Sequence, residues 1–331
     1  MRIFAYEHIT GGGCVDAPLP QALLPEARLM LRSLVSDLAG QPGTEVVTQC
    51  DRRVALGLAD VERHVVASRR QWETRFDELV ATSDAVWVIA PETGGVLESL
   101  SRRVVDAGAR LLGSSPDAIG VAASKHATAC ALERTGVPAI PAFRLHEARQ
   151  SAPHPWVAKP DDGCGCETTR VFPTLQAASA WVAERPNPHR FVLQPYVQGE
   201  AASLSALARD RRAWLLSVNR QRIELEDGAL RFAGSVVNAI ADSDGVFQRL
   251  AERVTQAIPG LWGYFGVDLI LADSGPIVVE VNPRLTTSYA GLRAALGVSV
   301  AAMVVRLLDR DDFDMIRPHP GRPVAVGVAG K

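Results

Sequence analysis

Through the first 115 residues, short runs built on consecutive apolar residues alternate with longer stretches in which apolar residues return every three or four positions. Residues 1–9, 45–49, 85–90 and 110–113 are of the first kind and read as strands. Residues 20–38, where Leu23, Ala27, Met30, Leu34 and Leu38 share one face, and residues 71–81 and 97–107 are of the second kind and read as helices. Alternation of strand and helix predicts a parallel, doubly wound sheet, with ligands at the carboxyl ends of its strands. The loops at those ends are Thr10-Gly11-Gly12-Gly13 and Pro91-Glu92-Thr93-Gly94-Gly95. A run of glycines lets backbone amides approach an anion or a substrate, which makes Gly11, Gly12 and Gly13 candidate substrate contacts. A plain flexible turn would look the same. Residues 51–66 carry an insertion that the pattern assigns to no element.

From Pro116 a second unit begins. A helix is predicted over 124–134, closed by Gly136 and followed by Pro138. Lys125 lies in its first turn, where anions are favoured, so its ammonium can hold a phosphate there. Residues 156–160 form a strand that carries Lys159 and runs into a loop of small residues, 161–167, before a strand resumes at 168–172. A lysine just before a flexible loop between two strands makes a lid over a triphosphate, with Gly163, Gly165 and Glu167 in the covering segment. It is not a Walker loop, because no Gly-Lys-Ser/Thr follows and no helix opens there. After a helix at 175–183, the apolar strand 191–197 crosses to the next subdomain, and Gln194, Pro195, Tyr196 and Val197 can offer an adenine edge a donor and an acceptor on an apolar wall. Glu200 can accept a ribose hydroxyl, although a surface acid in a turn explains it nearly as well. Strands at 201–207 and 214–218 pair. Arg220 and Arg222, two residues apart, share a strand face and are expected to point into the site, one of them as a phosphate or acyl-phosphate clamp. A strand at 232–238 and helices at 246–258 and 298–308 follow, and the tail from 309 is charged and then rich in proline and glycine, with no element assigned.

The most informative stretch is 262–289. Apolar runs at 264–271 and 277–281, separated by Asp273-Ser274-Gly275-Pro276, predict a β-hairpin. Glu280 and Asn282 are two residues apart and share a strand face, and Asp268, in the middle of the other strand, can lie across from them. Two carboxylates and an amide oxygen form a hard oxygen cage of the kind Mg²⁺ (or Mn²⁺) takes. Acids facing solvent on a half-exposed hairpin are the plainer alternative, but these are flanked by Val, Leu and Ile on both sides. Arg284 follows within reach of phosphate or carboxylate oxygens. Thr286, Thr287 and Ser288, with the three-glycine loop, are candidates for the donor acid and acceptor amine.

Composition narrows the field. A length of 331 residues allows two or three domains, and a hydrophobic share of 47 % supports a substantial core. A net charge of −2 and a pI of about 6.4 point to neither nucleic acid nor an anionic membrane. No apolar run reaches the roughly 18 residues of a membrane span. The first residues read as a strand and not as a signal peptide, and five cysteines, an odd count, fit free thiols in a reducing cytoplasm. Cys164 and Cys166 are the one close pair, and no second pair completes a zinc site. Of 35 basic residues only Lys125, Lys159 and Lys331 are lysine; chance retention is the plainer account of the two internal ones, but both sit in phosphate-binding contexts where a compact ammonium is expected. The seven histidines are scattered, and only His8 lies near a candidate substrate loop, with a core or surface role the plainer reading. No Ser–His–Asp or Cys–His set is evident.

The order of these features resembles the ATP-grasp carboxylate–amine ligases: lysine at a helix start, lysine before a small-residue loop, apolar linker strand, then Asp268 and Glu280-Val281-Asn282-Pro283-Arg284. The match runs from about Pro116 to Leu308, with a smaller α/β domain in front. The resemblance implies a parallel-sheet domain over 1–115, an ATP-grasp fold of two α+β subdomains over 116–196 and 197–310, and a tail over 311–331. ATP would lie between the subdomains, with Lys125 and Lys159 on its phosphates and residues 163–167 covering them. Asp268, Glu280 and Asn282 would hold Mg²⁺, and Arg284 would orient phosphate or the acyl intermediate. Pro195 is a departure, standing where many members carry a glutamate that touches adenine, which leaves base contact to backbone groups or Gln194. A narrower likeness, to the tyramine–glutamate ligase group of methanofuran biosynthesis, rests on Tyr6-Glu7-His8-Ile9-Thr10-Gly11-Gly12-Gly13 and on residues 280–289. It implies joining of a carboxylate such as L-glutamate to an amine such as tyramine through an acyl phosphate, with release of ADP and phosphate. Another ATP-grasp ligase, such as one acting on amino acids or peptides, stays open. So does a nucleotide-binding regulator without turnover, although that reading expects a broken metal triad and all three residues are present. The partners expected are a small-molecule carboxylate and amine, with no nucleic acid and no membrane, and a homodimer is left open.

Overall fold

The structure is a computed structural model that describes residues 1–58, 61–149, 154–163, 165, 167–308 and 321–327. The expectations for Cys164 and Cys166, and for most of the tail, lie outside the described residues. The first unit comprises β1 (Arg2–Glu7), α1 (Leu24–Ala39), β2 (Glu45–Asp51), β3 (Glu62–Val66), α2 (Arg69–Thr82), β4 (Ala85–Ile89), α3 (Val96–Asp106) and β5 (Arg110–Leu111). Its sheet is parallel throughout, in the order β3-β2-β1-β4-β5. Alternate residues of β1 serve opposite faces, as the two-residue period of a strand requires. Ile3 and Ala5 enter one core with α1, while Phe4 and Tyr6 enter another with Trp72 and Phe76 of α2. Burial on both sides makes β4 wholly apolar. The unassigned insertion at 51–66 contains β3, an exposed edge strand reading Glu-Arg-His-Val-Val, whose polar residues hid it from an apolar-run criterion.

The second unit opens with α4 (Pro116–Ala123) and α5 (Lys125–Arg134), followed by β6 (Trp156–Pro160), β7 (Arg170–Phe172), α6 (Leu175–Ala183), β8 (Phe191–Pro195), β9 (Glu200–Arg209), β10 (Arg212–Glu226), β11 (Ala229–Ile240) and α7 (Val246–Ala257). It closes with β12 (Gly263–Ala272), β13 (Gly275–Asn282), α8 (Tyr289–Leu296), α9 (Val300–Arg306) and β14 (Val324–Val326). The strands form one sheet in the order β13-β12-β9-β10-β11-β7-β6-β8, with β14 added on β11. Isolated bridges from Ala139 to Val278 and from Phe143 to Leu193 tie its two ends together, which turns the sheet into a cleft. The outer face of β9 and β12 is covered by α4, α5 and α7 through Ala118, Leu132, Leu250 and Val254.

Three boundaries differ from the sequence reading. The hairpin turn is only Asp273 and Ser274, because Gly275 adopts a φ of 112° and Pro276 already pairs with Leu271. The single helix expected over 298–308 is α9, preceded by α8, and the two meet at 97° around Gly297, whose φ of 72° ends α8. The tail is not without structure, since β14 pairs antiparallel with Ser235–Val237 of β11. The apolar faces of α8 and α9 pack onto α1 and join the two units in one core through Leu31, Leu34, Leu292 and Val304. No single helix among the described residues is long and apolar enough to cross a membrane.

Candidate active site

The hairpin of β12 and β13 sets Asp268 directly across from Glu280, and Gly266 across from Asn282. Gln221 Nε2 donates to Asp268 Oδ1 at 2.8 Å, and Asn282 Nδ2 donates to Asp268 Oδ2 at 3.2 Å. Burial and then the Glu280 carboxylate push the Asp268 carboxyl well above its usual range. Burial works the same way on Glu280, but the ammonium groups of Lys125 and Lys159 outweigh it and hold that carboxyl low. Two half-buried carboxylates forced together are what a hard divalent cation relieves, and a half-turn of the Asn282 amide would present its oxygen to the same point. The donor chemistry therefore fits Mg²⁺. Among the described residues no cluster of three or more His, Cys, Asp or Glu offers a different metal site.

Lys125 is the first residue of α5, whose N-cap Ser124 accepts from the Ala127 amide. The anion at that helix start is not left to a ligand. Asp161 fills it, accepting from the His126 amide at 2.9 Å, from Ser124 Oγ at 2.8 Å and from Arg144 at 2.7 Å. Lys125 instead sends its ammonium away from the helix, to the Gly163 carbonyl at 2.6 Å and to Glu280 at 3.3 Å. Burial opposes its charge, but Glu280, Glu92 and Asp161 more than compensate and raise its pKa. Lys159 is buried beside it on β6.

These groups border a cavity of about 340 Å³ that also touches Gly163, Glu167, Gln194, Pro195, Tyr196 and Val197. The Gln194 amide is already committed to the Ile140 carbonyl at 3.2 Å, and its backbone pairs with Val157 of β6. Gln221 and Ile223 of β10 point into the cavity. Arg220 and Arg222 do share a strand face, but it is the opposite, solvent-facing one. Arg220 pairs with Glu200 at 2.6 Å, both side chains about half exposed, and Arg222 is more exposed still. None of the three lines the cavity. Alternation fixes which residues share a face, not which face looks inward, and irregular pairing of β10 with β11 blurred that choice further.

On the far side of the hairpin, Arg284 donates to Glu92 at 2.8 Å, a buried pair that joins the two units. Thr286, Thr287 and Ser288 line a smaller cavity of about 100 Å³ with Asp268, Glu280, Asn282 and Gly165. The three-glycine loop does not reach these cavities. It folds back on its own strand, with the Gly11 amide on the Glu7 carbonyl and the Gly13 amide on the His8 carbonyl. A Cβ at Gly11 would meet the Glu7 carbonyl at 2.4 Å, so the glycines serve a tight turn. Glu92, Gln221, Asp161 and Glu26 were missed as site residues. Glu92 sits in a loop already placed at the ligand edge and Gln221 lies between the two arginines, whereas Glu26 had no local signal.

Residues 122–288 match the ATP-grasp domain model, and residues 44–119 match the pre ATP-grasp 3 domain model. The chain belongs to the ATP-grasp family. Among curated ATP-grasp relatives, the tyramine–L-glutamate ligase of Methanocaldococcus jannaschii is 27 % identical over 231 residues, which cover 70 % of this chain and 64 % of that protein. The protein of the same name from Methanocaldococcus fervens is 29 % identical over 231 residues, covering 70 % and 68 %. The match thus spans about two thirds of the length of these relatives. Two solved structures share the ATP-grasp fold. An ATP-grasp superfamily protein from Archaeoglobus fulgidus superposes with a TM-score of 0.73 at 23 % identity, over 92 % of this chain and 88 % of that one. An L-amino acid ligase from Bacillus licheniformis gives 0.66 at 16 %, over 96 % and 78 %.

Proposed function

We propose that this ATP-grasp protein is an ADP-forming acid–amine ligase that joins L-glutamate to tyramine, as a step of methanofuran-type one-carbon carrier biosynthesis. The observation that carries the reading is one cavity bordered by two buried lysines on one side and the Asp268–Glu280 pair on the other. The names of the relatives support the substrates. ATP occupies the cavity, its base against the apolar wall of residues 194–197 and its phosphates toward Lys125 and Lys159, under Gly163 and Glu167. Asp268, Glu280 and Asn282 would hold Mg²⁺, which when bound draws negative charge off the phosphate oxygens.

A carboxylate oxygen of the acid attacks the γ phosphorus. The bond from that phosphorus to the bridging oxygen breaks and ADP leaves. The product is an acyl phosphate, which supplies the leaving group a bare carboxylate lacks. The amine nitrogen then attacks the acyl carbon, the bond from carbon to phosphate oxygen breaks, phosphate leaves, and nitrogen loses a proton. The residues contribute position and charge: the lysines meet the triphosphate, and Arg284, held by Glu92, faces the transferring group. The test is ADP release and amide formation from ATP, Mg²⁺ and glutamate with a panel of amines. Tyramine should give the highest kcat/KM. Absence of amine-dependent ADP release with every acid and amine tried would overturn the proposal.

A further inference from the structure

Two small cavities adjoin Arg284. One, of about 70 Å³, lies between the ends of β1 and β4 and the start of α1, and its walls include Leu23, Met30 and Ile89 together with Glu7, Glu26 and Arg284. The other, of about 100 Å³, reaches Asp268 and Glu280. Glu26, Gly165 and Arg284 border both, so an apolar end and the metal-binding carboxylates open onto the same three residues.

The charges there are unequal. The Glu7 carboxylate is engaged by its own loop, accepting from the amides of Ile9 and Thr10 and from the Thr10 hydroxyl. Glu26 accepts from the Thr287 hydroxyl and faces both cavities. One oxygen of Glu92 pairs with Arg284, while the other is buried with no hydrogen-bond partner among the described residues. Three carboxylates thus surround one guanidinium. Burial pushes the Glu7 and Glu26 carboxyls up, a cost that a cation brought in by a substrate would remove.

We propose that these two adjoining cavities together hold the acceptor amine, bound as its ammonium against Glu26, which borders both and takes a proton from it before attack, with its hydrocarbon stem reaching between Leu23, Met30 and Ile89. The proposal rests on the ligase reading above. An amino acid suits the site less, because its carboxylate would meet Glu7 and Glu26, with Arg284 already paired to Glu92. Leu23, Glu26 and Met30 all come from α1 or its cap, so amine choice is set by the front unit while the phosphates are held by the rear one.

The test uses the full chain with tyramine as probe. Titration calorimetry in the presence of ADP and Mg²⁺ compares tyramine with the alcohol that carries a hydroxyl in place of its amino group. The amine should bind about tenfold tighter or more than the alcohol. Glu26→Gln should erase that preference, and Leu23→Trp, which narrows the apolar end without altering charge, should weaken both ligands alike. In turnover with hydroxylamine present, Glu26→Gln should raise the KM for tyramine and lower the ratio of amide to hydroxamate by about tenfold. Tyramine binding unchanged in both variants overturns the assignment, as does a raised KM for the acid in place of the amine. Glu26-dependent tyramine binding by a protein that forms no amide from any acid keeps this pocket and sinks the ligase reading. Amide formation with an unaltered KM for tyramine in Glu26→Gln does the reverse.

Discussion

His8 stands where β1 gives way to the glycine loop, and its imidazole is held neutral. Burial, and then the nearby charge of Arg69, push it from 6.5 down to about 4. The ring meets Tyr6 and Trp72 edge-on, with centroids 6.3 Å apart in each case, and fills the space over Gly13. On unfolding the imidazole returns to water and to its ordinary value. Between pH 6.5 and about 4 the unfolded chain therefore binds a proton that the folded chain does not, so this contribution is whole above 6.5 and is lost as the pH falls. The gap, at about 1.36 kcal/mol per pH unit, is worth about 3 kcal/mol. His8→Phe keeps a ring of similar size and removes the titration. Urea denaturation of both proteins at a series of pH values should show the variant gaining about 3 kcal/mol on the parent as the pH falls through that window. Carboxyls raised by burial, such as Glu7 and Asp37, titrate in both proteins and drop out of the difference. A difference that stays flat across the window would refute the neutral-imidazole argument.

Lys159→Ala should abolish hydroxamate formation from ATP, acid and hydroxylamine while leaving the near-UV circular dichroism unchanged, and retained turnover would count against the nucleotide assignment. Asp268→Asn should raise the Mg²⁺ concentration for half-maximal rate by more than about tenfold. It should also stabilise the metal-free protein by about 1 kcal/mol, because one of two facing half-buried carboxylates is gone. A lower urea midpoint in that variant would contradict the repulsion. Glu92→Ala leaves the buried Arg284 guanidinium without its carboxylate and should cost about 3 kcal/mol in urea unfolding, and a loss below about 1 kcal/mol would show the pair to be incidental.

The parts of this molecule that were legible in its sequence are those specified by local chemistry. Apolar runs gave β1, β4 and the hairpin, and the two-residue period put Glu280 and Asn282 together with Asp268 opposite. The scarcity of lysine singled out Lys125 and Lys159, which do border one cavity. What failed was whatever a distant partner decides. The helix start at Lys125 is filled by Asp161, a residue 36 positions away. Arg220 and Arg222 were given the right mutual relation and the wrong side, since the direction of the sheet's curl is a property of all its strands. Glu26 reaches the site only because α1 packs on α8 and α9, and Thr287 meets it across 261 positions. β3 and β14 are short and owe their form to a ready neighbour.

The strand at Val324–Val326 carries a practical consequence. It supplies hydrogen-bond partners to Ser235, Val236 and Val237, and the Val326 methyl groups rest where Gly291 leaves room. A version of the protein cut back to α9 would bare a ribbon of unsatisfied amides and carbonyls beside exposed Val236, a template on which a second copy could zip. Shortened forms should therefore clump in solution, and a tag placed directly after α9 would trade solubility for convenience.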